Sequence, residues 1–242
     1  MIILKTPDEI AVMAQASRVV AETLQILQKA VRPGITTDEL DRLAEEEIRS
    51  RGARPAFKGY RSYPKTLCAS VNDQVVHGIP SKRVLKEGDI IGLDLGAIVD
   101  GFYGDSAVTV AVGQTTERNA RLVQVTEEAM YLGIKEAVVG HRLSDISHAV
   151  QRHVESAGYS VVTEFVGHGI GRQLHEEPQV PNYGRRGSGP KLKPGMTANV
   201  TFVHAEERAR AAREPCFREV ARHLDMTLEA DVQVVDHVRL VR

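Results

Sequence analysis

The 242-residue sequence has little cysteine, almost no net charge and no long apolar run. Its two cysteines, Cys68 and Cys216, are too few and too far apart for a disulfide framework or a zinc knuckle, so we expect reduced thiols. A formal charge of -1 gives no electrostatic reason to expect nucleic acid or a membrane surface as a partner. No stretch approaches about 18 consecutive apolar residues, and the N-terminus lacks the pattern of a signal peptide. We therefore expect a globular cytoplasmic protein.

Two further absences are confined to the end of the chain. Neither glycine nor lysine occurs after Gly195, whereas seven arginines lie between residues 204 and 242. The composition changes near residue 198, so we treat the segment from about 198 to 242 as an atypical tail. We predict one domain spanning the whole chain, with an N-terminal half at 1–113 and a C-terminal half at 114–242.

The predicted elements follow the order helix, helix, strands, and then repeat it. Threonine N-caps, two of them with a glutamate three residues later, indicate where helices begin. β-rich runs separated by turn dipeptides predict strands at 67–111 and again from Ser160 onwards. The four predicted helices begin near Thr6, Thr36, Thr116 and Ser144.

Similar segments accompany this repeated order. LKEGDIIGLD and LKPGMTANVT start at 85 and 192, an offset of 192 − 85 = 107, and RPGITTDEL and VGHRLSDIS start at 32 and 139, again 107 apart. HGIP at His77 also has an echo in HGIG at His168. These segments predict an α+β fold of two halves related by a pseudo-twofold axis, with a cleft at their seam.

Two aspartates flank a turn within LDLGAIVDGFYGDSA, residues 93–107. Asp100-Gly101 is a strong hairpin signal, and a loop with an even number of residues would place Asp94 and Asp105 on one face, because side chains alternate along a strand. Two such carboxylates repel unless a cation lies between them. The alternative is that Asp94 only ends an apolar strand and Asp105 is solvated, although an acid within an apolar run is seldom buried unpaired.

Histidines occur in glycine-containing segments. His168 lies between two glycines, His175 follows seven residues later, and His77 precedes Gly78. A lone histidine is more often structural, but this grouping together with two acids favours a metal site. Imidazole with carboxylate suits Mn, Fe, Co or Zn rather than calcium, and two such ions can activate a shared hydroxide against a carbonyl. The combination indicates hydrolysis.

Longer motifs contain these residues: YPKTLCASVNDQVVHGIP, LKEGDIIGLDLGAIVDGFYGDSA, EFVGHGIGRQLHEEPQVPNYG and LKPGMT. Over about residues 1–197 the chain resembles the type I methionine aminopeptidases. The resemblance implies the pita-bread fold, two divalent ions (Co, Mn, Fe, Zn or Ni), and removal of the initiator methionine from nascent polypeptides whose second residue is small. It also implies a cytoplasmic monomer with transient ribosome contact.

The resemblance implies five metal ligands, of which three are present. Asp94, Asp105 and His168 match, with Asp105 in the bridging position. The fourth ligand, a glutamate that is also the general base, should come shortly after LKPGMT, but Thr201 occupies that position. The fifth is a C-terminal glutamate, where this chain has the shorter Asp236. Because a hydroxyl is a poor replacement for a carboxylate, we expect at least one weak metal site and a feeble or inactive enzyme.

For the substrate, the resemblance implies a further set of residues. His77 and His175 match the catalytic histidines that contact the substrate around the scissile peptide bond. Tyr63 and Cys68 match positions near the pocket for the methionine side chain. Leu174 stands where an aromatic residue is common in the family.

Several alternatives stay open. The tail is either read out of frame or belongs to a natural variant that keeps the fold and binds peptides without hydrolysing them. The functions to be distinguished are an aminopeptidase and a non-catalytic peptide- or protein-binding protein on the same scaffold. A proline peptidase is less favoured, because that group usually carries an additional N-terminal domain.

Overall fold

The computed structural model describes residues 1–200, so the positions of Thr201, Cys216 and Asp236 lie outside the described part. Two helices precede a four-stranded antiparallel sheet, and two more helices precede a three-stranded antiparallel sheet. A 3-10 turn spans Tyr60–Ser62. The helices are α1 (Pro7–Ala30), α2 (Thr37–Ser50), α3 (Glu117–Glu136) and α4 (Leu143–Ser156), and the strands are β1 (Arg54–Pro55), β2 (Leu67–Val71), β3 (Ile90–Val99), β4 (Phe102–Ala111), β5 (Gly167–Gly169), β6 (Glu176–Val180) and β7 (Ala198–Asn199).

Reciprocal capping boxes begin the first two helices. The Thr6 hydroxyl accepts from the Glu9 N–H at 3.3 Å, and the Glu9 carboxylate accepts from the Thr6 N–H at 3.0 Å. Thr36 and Glu39 repeat this arrangement at 3.2 and 2.8 Å before α2. Each pair satisfies two backbone donors that a helix start otherwise leaves unpaired. The helix starts predicted from these threonines are confirmed.

The cap of α4 corrects the predicted spacing of the repeat. Its N-cap is Arg142, whose backbone N–H donates to Asp145 at 2.7 Å, so the helix begins one residue before Ser144. The equivalent N-cap in the first half is Thr36, which gives an offset of 142 − 36 = 106. The offset of 107 predicted for this segment was therefore wrong by one residue.

Backbone hydrogen bonds show that the two halves have the same construction. In the first half the Gly34 N–H donates to the Leu85 carbonyl at 2.9 Å, and in the second the Gly140 N–H donates to the Leu192 carbonyl at 3.2 Å. Each bond joins a helical hairpin to the LKEG or LKPG loop that leads into the next strand. The LKEG and LKPG loops lie 107 residues apart, whereas Gly34 and Gly140 in the helical hairpins lie 106 apart. The two spacings therefore differ by one residue.

The same register corrects the predicted HGIP and HGIG echo. His168 pairs with Asn199, whose counterpart at the 107 offset is Gly92, and Gly92 pairs with Ser70. The counterpart of His168 is therefore Ser70, and the similarity to the loop at His77 does not follow the fold.

A two-residue turn joins the long strands β3 and β4. Val99 pairs with Phe102, and the intervening Asp100 and Gly101 have φ of +48° and +80°. Positive φ at both central residues is what a hairpin turn of type I′ requires, and the Asp-Gly sequence supplies it. The predicted hairpin is confirmed.

Helix α1 packs on this hairpin. Met13, Val20 and Leu27 are fully buried in the core cluster that β3 shares, and Gly104 lets the backbones approach, since a Cβ there would lie 2.6 Å from the backbone of Ser17. Among the described helices, α1 alone is long and apolar enough to meet the criterion for crossing a membrane. A buried core helix meets the same criterion, and its contacts with β3 and β4 place α1 in that class.

The strand predicted from Ser160 starts later than expected. Residues 161–166 form no regular element, and β5 begins only at Gly167. Val161 packs against the small cluster formed by α3 and α4 instead. β-branched residues are common in strands because they suit a half-buried surface, and a helical surface can serve Val161 in the same way. The prediction of a strand at 161–166 was therefore wrong.

Candidate active site

Two buried acids project from neighbouring strands. Asp94 pairs with Ala107 across the β3–β4 ladder, and Asp105 pairs with Gly96. The two acids are therefore diagonal neighbours on one face, as predicted. They are only 7% and 2% exposed. Burial, and to a lesser extent the Asp105 charge, raises the pKa of Asp94 well above its usual range.

An imidazole from the other half meets these acids. His168 lies in β5, where its Nε2 is 3.6 Å from Oδ2 of Asp105. Its Nδ1 lies 2.9 Å from the Gly169 carbonyl, which can only accept, so the ring proton sits on Nδ1 and the Nε2 lone pair is exposed to the site. Gly169 must be glycine, because a Cβ would lie 2.2 Å from the Glu177 carbonyl oxygen.

Three buried atoms here lack a hydrogen-bond partner among the described residues: Oδ1 of Asp94, Oδ1 of Asp105 and Nε2 of His168. Such atoms are costly unless something pairs with them, and ionised carboxylates together with this His168 tautomer would present all three as acceptors. Within residues 1–200, no group of three or more histidine, cysteine, aspartate or glutamate side chains can hold a metal ion by itself. The donors nevertheless fit a divalent cation in type.

Asn199 forms a hydrogen bond with the other carboxylate oxygen of Asp105. Its side-chain amide donates to Oδ2 of Asp105 at 2.7 Å, and both groups are buried. This bond crosses the seam between the halves, 94 residues apart in sequence. It orients the Asp105 carboxylate and leaves Oδ1 as the atom without a partner among the described residues.

His175 lies beside His168, with ring centroids 4.3 Å apart. Its Nδ1 is 2.7 Å from the Tyr60 hydroxyl, and its Nε2 is buried without a partner in the described part of the chain. Burial lowers the pKa of His175 to about 3, with smaller contributions from the charges of His168, Arg61 and His77. The ring is therefore neutral at physiological pH.

His77 lies in a strained loop on β2. Its φ is +56°, a conformation uncommon outside glycine, and Gly78 next to it fits only without a side chain, since a Cβ would lie 2.2 Å from the Ala69 carbonyl oxygen. The Gly78 N–H donates to the Ser70 hydroxyl at 3.1 Å, which holds the loop on the strand. Burial lowers the pKa of His77 to about 4. This ring also stays neutral, and it packs edge-on to Phe165.

Tyr63 and Cys68 are both buried beside the acids. Cys68 pairs with Asp94 across β2 and β3, and burial raises the pKa of its thiol. The Tyr63 hydroxyl lies 3.0 Å from the Leu67 carbonyl and 3.2 Å from the Gly78 carbonyl, so it ties the His77 loop to the strand that carries Cys68. Burial raises the pKa of Tyr63 as well.

A buried ion pair supports the loop that carries His175. Lys5 contacts Glu176 at 2.5 Å, and their side chains are only 3% and 5% exposed. Glu176 also accepts from the Gln173 N–H at 3.1 Å. Gly171 makes room for this pair, because a Cβ there would lie 2.4 Å from Lys5 Cε. The first residues of the chain thus hold part of the site.

Sequence reasoning missed Tyr60, Asn199 and Lys5. Tyr60 stands three residues before the start of the first quoted motif, and neither of the other two belongs to a pattern of acids and histidines. Only the register of β5 and β7, and the path of the N-terminal segment, bring Asn199 and Lys5 to the site. No local sequence signal reports these long-range contacts.

Comparisons with known proteins identify the family of this chain. The model of metallopeptidase family M24 matches residues 11–233. The methionine aminopeptidase of Clostridium acetobutylicum is 55% identical over 201 residues, which cover 83% of this chain and 80% of that protein. Methionine aminopeptidase 1 of Bacillus subtilis is 53% identical over 209 residues, which cover 86% of this chain and 84% of that protein.

A solved structure gives the fold. The crystal structure of methionine aminopeptidase from Thermotoga maritima superposes with a TM-score of 0.81 and 48% identity, covering 83% of this chain and 81% of that one. The predicted α+β pita-bread fold is thereby confirmed. Family membership implies the use of divalent metal, which agrees with the unpaired acids and imidazole at the seam. The chain belongs to metallopeptidase family M24 and, within it, to the methionine aminopeptidases.

Proposed function

We propose that this chain removes the initiator methionine from nascent polypeptides in the cytoplasm, as a monomer that contacts the ribosome transiently. The observation that carries the proposal is the set of buried, unpaired atoms on Asp94, Asp105 and His168, contributed by both halves of a chain in this family. Such a set is what a hydrolytic metal centre needs and what a purely structural core avoids.

Asp94, Asp105 and His168 would hold two divalent ions, drawn from Co, Mn, Fe, Zn and Ni. When bound, such ions supply a water whose pKa is lowered towards 7, and thus a hydroxide nucleophile. The His168 tautomer fits this role, because the Gly169 carbonyl fixes the proton on Nδ1 and leaves Nε2 as an acceptor. Asn199 similarly orients the Asp105 carboxylate.

Two neutral imidazoles would contact the substrate. His77 and His175 have pKa values lowered to about 4 and about 3, so each ring at neutral pH carries one proton that it can donate. A donor placed at the scissile carbonyl stabilises the negative charge that develops on its oxygen. Tyr63 and Cys68, both buried beside the acids, would line the slot for the methionine side chain.

The missing base limits this activity. Thr201 stands where the family's glutamate base is expected, and Asp236 where a second glutamate is expected. General acid–base catalysis typically contributes about 10²- to 10⁴-fold. We therefore propose that the chain as written is a weak enzyme, either because the tail is read out of frame or because it is a natural variant.

The second candidate is a peptide- or protein-binding protein that keeps the cleft without hydrolysis. It is favoured by one observation, the absence within residues 1–200 of three acid, cysteine or histidine side chains that could hold a metal without further ligands. In that case the buried acids would remain as part of a binding cleft with little or no metal.

Metal content and peptide hydrolysis distinguish the two candidates. Purified protein is analysed for bound metal and incubated with Met-Ala-Ser, and chelator-treated protein with and without restored Mn²⁺ serves as the control. The enzyme requires near two ions per chain and methionine release that disappears with the chelator and returns with the metal. One ion or none, with no release after reloading, identifies the binder. Cleavage restricted to peptides with proline in second position would instead indicate a proline peptidase.

A further inference from the structure

Two residues outside the predicted site converge on His175. Tyr60 stacks on its ring with centroids 5.5 Å apart and places its hydroxyl 2.7 Å from Nδ1. Arg61, in the same 3-10 turn, has a positive φ of +45° and a guanidinium 5.5 Å from the centre of the Tyr60 ring. Its positive charge partly offsets the effect of burial on the pKa of the Tyr60 phenol. The three groups form a chain of contacts that ends at the site.

The chemistry of the partners sets the direction of these hydrogen bonds. A guanidinium has donors and no acceptor, so towards the Tyr60 oxygen Arg61 can only act as a donor. The phenol keeps its proton at neutral pH, because burial raises the pKa of Tyr60. The cation beside it favours the phenol oxygen as an acceptor on the Arg61 side, which directs the O–H to Nδ1 of His175, 2.7 Å away. A donated O–H requires that nitrogen to be the unprotonated one.

The neighbouring imidazole has the opposite arrangement. The Gly169 carbonyl can only accept, so His168 carries its proton on Nδ1 and presents a lone pair at Nε2. With the phenol as donor, His175 accepts at Nδ1 and presents a proton at Nε2. The two rings are 4.3 Å apart, and both Nε2 atoms are buried without a partner within residues 1–200. One imidazole suits a cation and the other suits an oxyanion.

We propose that Tyr60 and Arg61 are positioning residues that hold His175 as the neutral tautomer protonated on Nε2, so that this nitrogen donates to the oxygen of the scissile carbonyl. The identity of the acceptor rests on the proposed function, whereas the tautomer does not. The two halves of the chain thereby give adjacent histidines opposite hydrogen-bonding roles, through a backbone carbonyl in one case and a tyrosine in the other.

Nuclear magnetic resonance of the full-length chain with ¹⁵N-labelled histidine rings tests the tautomer. Long-range ¹H–¹⁵N correlations at pH 7 identify which ring nitrogen carries the proton, and His175→Gln assigns the signals. We expect His175 protonated on Nε2 and His168 protonated on Nδ1. In Tyr60→Phe, the two nitrogen shifts of His175 should move towards each other, as in exchange between tautomers, while those of His168 stay in place.

Two further variants keep the test decisive. Arg61→Gln leaves the ring stacking intact but frees the phenol proton, so it should produce a smaller shift in the same direction. Tyr159→Phe removes a hydroxyl of the same kind near α3 and α4, far from His175, and should leave both histidines unchanged. If Tyr60→Phe does not fold, the Arg61→Gln result decides.

Two results would overturn the proposal: a wild-type His175 protonated on Nδ1, or His175 shifts that are the same in wild type and in both variants. Where the metal-loaded chain releases methionine, Tyr60→Phe should lower kcat about tenfold with KM little changed, because the donated bond strengthens in the transition state. Absence of methionine release from a wild type with the expected tautomers counts against the proposed function alone.

Discussion

The two halves share one plan but are stabilised differently. The first half has two ten-residue strands and one large buried cluster, whereas in the described part of the second half β5 and β6 have three and five residues and two smaller clusters are found. The loop between β5 and β6 is supported by the first half, since its residues Ile170 and Leu174 pack into the large cluster. The acids therefore lie on two long paired strands, whereas the loop that carries His175 is held by contacts across the seam.

The largest expected effect comes from restoring a carboxylate to the second half. Thr201→Glu should raise methionine release by about 10²- to 10⁴-fold, because it returns the base that would match the acids of the first half. The measurement is single-turnover hydrolysis of Met-Ala-Ser with Mn²⁺. Thr201→Gln, equal in shape but without charge, is the control. Equal rates in the two variants would mean that the tail does not bring residue 201 to the site.

Removing a carboxylate from the first half tests whether the seam holds metal. Asp105→Asn should weaken Mn²⁺ binding by more than about 100-fold, beyond the roughly 10- to 100-fold typical of losing a group behind a ligand. Calorimetric titration measures the affinity. Asp100→Asn, in the turn of the same hairpin, is matched in chemistry and tolerates the positive φ, so it should bind like wild type. Unchanged binding in Asp105→Asn would refute the metal centre.

Overpacking the first half tests how far its stability depends on close contact between the β3–β4 hairpin and α1. Gly104→Ala should lower the free energy of unfolding by about 2–3 kcal/mol, because the new Cβ would lie 2.6 Å from the backbone of Ala16 and Ser17. Gly92→Ala in the same hairpin meets nothing closer than 3.7 Å and should change the stability by less than about 1 kcal/mol. Urea unfolding measures both, and similar losses in the two variants would contradict this dependence on close contact.

The smallest effect is expected at the equivalent N-caps of α4 and α2. Asp145→Ala should cost about 1 kcal/mol, since Asp145 accepts from the N–H groups of Arg142 at 2.7 Å and Gly187 at 2.8 Å. Its counterpart variant Glu39→Ala should cost less, because within residues 1–200 Glu39 accepts hydrogen bonds from Thr36 alone. Hydrogen exchange of the α4 and α2 amides measures the difference.

This cap also predicts a pH dependence. The pKa of Asp145 is lowered, first by the bond from the Arg142 N–H. A lowered folded-state pKa means that the carboxylate stabilises the protein above its unfolded pKa, near 4, and that this contribution is lost as the pH falls through the folded value. The gap between wild type and Asp145→Ala should therefore close below about pH 4 and be constant from about pH 6 to 8. A gap that widens in acid would exclude this role.

Features governed by local chemistry could be predicted from the sequence. Thr6 and Thr36 predict the starts of their helices because the capping partners lie three residues away. Asp100-Gly101 predicts the hairpin turn, and the turn places the two acids on a common face. The motif resemblance supplied the fold. These inferences need no knowledge of distant contacts.

The predictions that failed depended on partners far away in the chain. The strand expected from Ser160 did not form at 161–166, where Val161 packs on the surface of α3 and α4 instead. The one-residue change in offset between the halves is invisible in such weak similarity. Tyr60 carries no signal of its own until His175 is placed against it, 115 residues later.

The contact between Lys5 and Glu176 has a consequence for the order in which the molecule matures. The lysine is made before its carboxylate partner, which lies 171 positions later in the chain. At a synthesis rate of about 5–20 residues per second, roughly ten seconds or more pass between the synthesis of Lys5 and that of Glu176. All strands of the large sheet precede Glu176 in the chain, so the cleft is completed only after that sheet has been made.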